Sequence, residues 1–238
     1  MAVAGSRVST MENPCSGIPR RLSLRLFCTT ETPAKDALNV WPALPLIVEG
    51  DLASSAAGNI IVILGQGNRK CQVILWHLAS WQLEQVLATM HVPFPELTQL
   101  WLTSNGDRET LPVIPDSFLG GSAPRLRYFE LNGIPFPGLP KLLLSATSHL
   151  VYLHLFDIPH SGYISPDAIT ALLSVLSSLE RFYLEFQSPQ SFPDRETLLP
   201  PLSNHSVISA LRYFRFKGAI EYLEDLVTHI DTPQLDEM

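Results

Sequence analysis

The chain has 238 residues, 46% hydrophobic and 16% charged, a balance that excludes global disorder and can bury a substantial core. A net charge of -7 excludes a general affinity for nucleic acid or anionic membrane, which would need a basic field. Cys15, Cys28 and Cys71 fit neither a disulfide framework nor a zinc pattern, and no apolar run approaches the roughly 18 residues of a membrane span, so a monomer in the cytoplasm or nucleus is expected.

In chain order, residues 1–19 are small and polar with no period, and read as a disordered lead-in. Leu22, Leu24 and Leu26 then alternate with polar residues, as in a half-buried strand. A capped helical turn is expected from Thr32, with Pro33 at its first position, and a short strand at Leu46-Ile47-Val48. Gly65-Gln66-Gly67 lacks the third glycine of a dinucleotide loop and the ending of a phosphate loop. It reads as the stop of a helix begun at Asn59.

From Lys70 onward an apolar triplet L-x-x-L-x-L recurs, weakly at Lys70-Val73-Leu75 and then at Leu97-Leu100-Leu102, Leu126-Phe129-Leu131, Leu150-Leu153-Leu155, Leu179-Phe182-Leu184 and Leu211-Phe214-Phe216. From Val73 to Phe214 the central residues lie 27, 29, 24, 29 and 32 positions apart, within or just beyond the leucine-rich-repeat range. Between the triplets, helical stripes are expected at Trp81, Leu83, Val86, Leu87 and Met90; at Leu139, Leu142, Leu143 and Ala146; at Ile169, Leu172, Leu173 and Leu176 behind the cap Ser165-Pro166; and at Ile220, Leu223, Leu226, Val227 and Ile230. Most of the 20 prolines cluster between these segments and act as punctuation. The expectation is an α/β fold: a curved leucine-rich-repeat-like solenoid over residues 20–238, with one strand plus one helix or irregular segment per repeat, truncated at its C-terminus.

In such strands the fourth and sixth positions face the core, so the third, fifth and seventh face outward. Seven of those eighteen outward residues are aromatic, against 9% in the chain. Trp101, Tyr128, Glu130, Tyr152, His154, Phe156, Arg181, Tyr183, Tyr213 and Arg215 are therefore the candidate partner-binding residues, since Tyr, Trp and Arg dominate binding hot spots. Cross-strand pairing of aromatics is the competing explanation. Arg181, Arg215 and Lys217 make one end basic and suited to an acidic partner segment, although Glu221, Glu224 and Asp225 could consume that charge within the fold.

The strings WPALPLIVEG, FPELTQLWL, VIPDSFLGGSAPRLRYFELNGIPFPGLPKLLLSATSHLVYLHLFDIPHSGYIS and YFRFKGAIEYLEDLV closely resemble segments of a group of fungal proteins in which an F-box precedes leucine-rich-like repeats. The resemblance implies a substrate receptor of a ubiquitin ligase, whose repeats hold the protein to be ubiquitinated. An F-box is a helical element, and residues 1–19 carry no helical period, which leaves recruitment of the ligase adaptor doubtful. The ninth repeat position, usually an asparagine that ties one turn to the next, is Asn105 once and then Ile134, Ile158, Gln187 and Ala219, so apolar packing should close those turns.

Enzymatic signals are weak. Ser122 stands outside any nucleophile elbow, the seven histidines form no metal-binding pair, and the cysteines have nothing beside them to lower their pKa. No catalytic residue, cofactor or metal is expected. The function expected is a non-enzymatic protein-interaction module with a protein partner on the strand face; a structural remnant or a scaffold unrelated to ubiquitination is the alternative.

Overall fold

The computed structural model describes residues 6–9, 23–27, 45–52, 57–65, 70–106, 111–136, 141–187 and 206–236. Its elements run β1 (Ser6–Ser9), β2 (Ser23–Phe27), β3 (Leu46–Asp51), α1 (Ala57–Gly65), β4 (Lys70–Leu78), α2 (Ser80–Thr89), β5 (Gln99–Ser104), β6 (Tyr128–Asn132), α3 (Lys141–Ser145), β7 (Tyr152–Ile158), α4 (Pro166–Val175), β8 (Arg181–Phe186), β9 (Ser206–Val207), β10 (Tyr213–Lys217), α5 (Ile220–His229) and β11 (Ile230–Asp231). Nine strands form one sheet in the order β1 to β8 and then β10, while β9 and β11 make a separate parallel pair. The seven strands β3 to β8 and β10 are all parallel; β2 joins β3 in the same sense, and β1 pairs antiparallel with β2.

Each apolar triplet becomes a strand with its middle and last residues turned inward. Val73, Leu75, Leu100, Leu102, Phe129, Leu131, Leu153, Leu155, Phe182 and Leu184 are all buried, and they merge with the inner faces of the helices into one core. The first leucine of each triplet starts the pairing. The residue after it donates its backbone N–H to the strand before, as in Thr98 to Cys71, Arg127 to Thr98, Val151 to Arg127, Glu180 to Val151 and Arg212 to Glu180. Those repeated rungs hold six strands in one register.

The expected leucine-rich-repeat-like solenoid, over residues 20–238, is corrected by this architecture. The structure shows an α/β layout, Rossmann-like in its alternation of parallel strands with five α-helices among the described residues. Among the described residues the returning segments differ: a nine-residue helix follows β3, ten-residue helices follow β4 and β7, the 3-10 turn Phe118–Gly121 follows β5, and a five-residue helix follows β6. The triplet dictates strands and register, whereas a solenoid also needs one recurring return path, which the proline-rich connections do not provide. Among the described residues the strand order runs in one direction, from β1 to β8 and then β10.

Several local expectations also change. Within the lead-in expected at residues 1–19, Ser6–Ser9 form a strand against β2. In α2 Trp81 points out, 55% exposed, and Gln82 takes the inner place, accepting from Ala79 N–H at 2.8 Å and donating to the Leu52 carbonyl at 3.1 Å. In α5 the buried pair is Tyr222 and Leu226, whereas Ile220 and Val227 face outward. The Ser165 cap forms as expected, accepting from Ala168 N–H at 3.2 Å ahead of Pro166. The helix expected at Thr32, together with Cys15, Cys28 and Leu139, lies outside the described residues.

Candidate protein-interaction face

The side of the sheet opposite the helices is built by the third, fifth and seventh positions of the triplet strands. Register carries the third positions across six strands as Gln72, Gln99, Tyr128, Tyr152, Arg181 and Tyr213, and the fifth as Ile74, Trp101, Glu130, His154, Tyr183 and Arg215. The seventh row is broken. Register shifts after Leu75 and after Leu155 interrupt it, leaving Thr103, Asn132 and Phe156 as one run and Glu185 with Lys217 as another. At the shifts His77 and Asp157 take left-handed backbone at φ 56° and 51°, and Gly133, at the equivalent place after β6, has φ 69°. A side chain on Gly133 would meet the Ser104 carbonyl oxygen at 2.9 Å, so this turn admits only glycine.

His154 is the hub of the face. Its ring lies 4.1 Å from Tyr183, 5.2 Å from Tyr128, 5.5 Å from Phe156 and 6.3 Å from Tyr152, all between ring centroids. Its Nδ1 faces Glu130 Oε2 at 3.2 Å, and the Tyr128 hydroxyl donates to the same carboxylate oxygen. Glu130 is buried at 5% exposure, so those two donors replace the water that would otherwise solvate its charge. His154 Nε2 is buried and has no hydrogen-bond partner among the described residues. Burial, and then the bond to Glu130, raise the Tyr128 phenol above the ordinary tyrosine range, because a phenolate there would lack water and face a carboxylate. The Tyr183 phenol is also raised, by burial and by its hydrogen bond with Tyr213, with which it stacks at 5.1 Å.

Of the ten sequence-predicted residues, eight join in one continuous network. Tyr128, Glu130, Tyr152, His154, Phe156, Tyr183 and Tyr213 are linked by the contacts above, and the Arg181 guanidinium sits 5.6 Å over the Tyr152 ring. Trp101 belongs instead to an edge-to-face pair with Trp76 at 6.0 Å, its Nε1 donating to Thr103 at 3.1 Å. Arg215 neighbours Tyr183 in register and stands exposed, without an ion pair among the described residues. The expected drain of basic charge into the last helix takes another form: Lys217 pairs with Glu185 across the strands, while Tyr222 and Leu226 anchor α5 in the core behind the sheet. The polar bond set joining Tyr128, Glu130 and His154 is what sequence reasoning missed. Its only signal was an acid and a histidine at the same position of consecutive triplets.

Elsewhere the chemistry is quiet. Burial pushes the Cys71 thiol up to about 11, and its Sγ donates to the Leu46 carbonyl at 3.2 Å, so it is a packed thiol with little thiolate. Ser122 ends the turn made by Leu119, Gly120 and Gly121. Among the described residues no three His, Cys, Asp or Glu are placed to hold a metal ion, and no helix is long and apolar enough to cross a membrane. Comparison of the chain with protein-family models, curated proteins and solved structures finds no match.

Proposed function

We propose that the protein is a non-enzymatic interaction module that receives a partner protein on the outward strand face, acting in the cytoplasm or nucleus. The supporting observation is the continuous aromatic network from Tyr128 to Tyr213 on a sheet face that no described element covers. Half-buried tyrosines held by cross-strand contacts lose little side-chain freedom on binding, and each offers a hydroxyl with a large apolar ring. Cross-strand pairing accounts for their contacts with one another, but it leaves their outer edges open to solvent. Arg181 and Arg215 border the network with positive charge, so the partner segment is acidic where it crosses β8 and β10. The resemblance to the repeat region of fungal F-box proteins fits such a role and makes the partner a ubiquitination substrate. Recruitment of a ligase adaptor by this chain is no part of the proposal.

The test is affinity capture from the protein's own cells, quantified by mass spectrometry, with wild type and a Tyr152→Ala/Tyr183→Ala variant whose thermal unfolding stays cooperative. Partners enriched by the wild type should be lost from the variant. An unchanged set of captured proteins rejects the strand face as the binding surface.

A further inference from the structure

The outward face changes character from one end to the other. On β3 and β4 it is closed, with Ile47, Glu49 and Ile74 buried, and it opens at Trp76 and Trp101, both half-buried. The outward side chains of β5 are Gln99, Trp101 and Thr103, none of them charged. Trp101 Nε1 already donates to Thr103, so what this end offers a partner is the apolar indole ring. Asp51, opposite Trp76 in register and bonded to His77 at 2.9 Å, is an acid, so this end does not attract an acidic segment. At the other end β8 and β10 carry Arg181, Glu185, Arg215 and Lys217 outward. Glu185 and Lys217 pair with each other, which leaves Arg181 and Arg215, both exposed, to give this end its positive charge. Arg181 matters most, because β8 has a neighbour on each side and the residues opposite it, Tyr152 and Tyr213, bring no acid.

We propose that the partner segment is read in one direction across the strands: a large apolar residue sits on Trp101, acidic residues lie against Arg181 and Arg215, and the tyrosine network supports the stretch between them. This rests on the strand face being the binding surface, and adds to it the order and spacing of what binds. With neighbouring strands about 4.8 Å apart, the crossing from β5 is about 14 Å to β8 and about 19 Å to β10, or roughly four to six residues of extended chain at about 3.3 Å each. A second copy of the face is the wrong occupant. The acids at outward positions of β5 to β10 are Glu130, which is buried, and Glu185, which is paired with Lys217, so the face does not complement its own arginines.

The test selects a phage-displayed library of random dodecapeptides on the full chain and titrates the enriched peptides, made synthetically with a fluorescent label. They should share a large apolar residue and an acidic pair roughly four to six residues apart. Arg181→Glu, at an exposed position, should weaken them about tenfold. Moving the acidic pair next to the apolar residue, a change made in the peptide alone, should weaken binding by a similar factor. Peptides that the Tyr152→Ala/Tyr183→Ala protein no longer binds, but that Arg181→Glu leaves unmoved, would keep the strand face and overturn the order proposed for its partner. Peptides that bind this double variant as they bind wild type would remove the strand face itself and the proposal with it. An empty selection, or self-association in sedimentation that Arg181→Glu abolishes, would also overturn it.

Discussion

Glu130 shows how a charge can sit at 5% exposure on a surface without unfolding it. Its neighbours in register are the residues that supply donors, His154 from the next strand and Tyr128 from two places back on its own. Glu130→Ala removes the acceptor and strands both donors among aromatic rings, so it should cost about 2 kcal/mol in urea unfolding. Glu130→Gln keeps the shape and one acceptor and should cost about half as much. A Glu130→Ala protein as stable as wild type would show that the bond set does not hold the face together. Cys71 gives the opposite lesson: burial keeps its proton on, so its labelling by iodoacetamide at neutral pH should lag a free thiol by at least about tenfold until the protein unfolds.

Among the elements, α4 is the most completely specified. Ser165 caps it, Pro166 fixes its first turn, Asp167 lies at its positive end, and Ile169, Leu172, Leu173 and Leu176 bury one face. Ser165→Ala should therefore destabilise the protein by about 1 kcal/mol, and Ser165→Asp should restore most of it; equal unfolding midpoints for all three would show that tertiary packing alone holds the helix. The stripe expected in α2 shifts because the inner face follows 82, 83, 86, 87 and 90, and Gln82 can go inside where the Ala79 amide and the Leu52 carbonyl receive it. In α5 Tyr222 wins the core, its hydroxyl bonded to the Ile164 carbonyl at 2.9 Å and its ring among Phe186 and Phe216. The turns closed without an asparagine use Ile134 and Ile158, both buried, whereas the Asn105 amide faces the carbonyls of His77 and Leu78 at 3.1 and 3.2 Å.

For the whole molecule, the phenols of buried Tyr222 and half-buried Tyr128 link stability to alkaline pH. Burial raises Tyr222 and Tyr128 well above the value near 10 that the unfolded chain has, so the folded protein keeps protons that the unfolded one releases. Their contribution is complete below about pH 10 and is lost as pH climbs past it. Urea midpoints should fall between about pH 9 and about pH 11, with tyrosinate absorbance from these residues appearing only on unfolding; a flat midpoint would contradict their burial. The sequence by itself determined the strands, their common register and which side chains face in, because the triplet has the two-residue period of a strand and parallel pairing holds equivalent positions side by side. Even the residues of the outward face could be read that way. Tertiary structure alone decided the way each strand returns, the shifts at His77 and Asp157, the outward turn of Trp81 and Ile220, and the meeting of Tyr128, Glu130 and His154. Each of these depends on which neighbour fills a given space across the fold, and no periodicity along the chain encodes that.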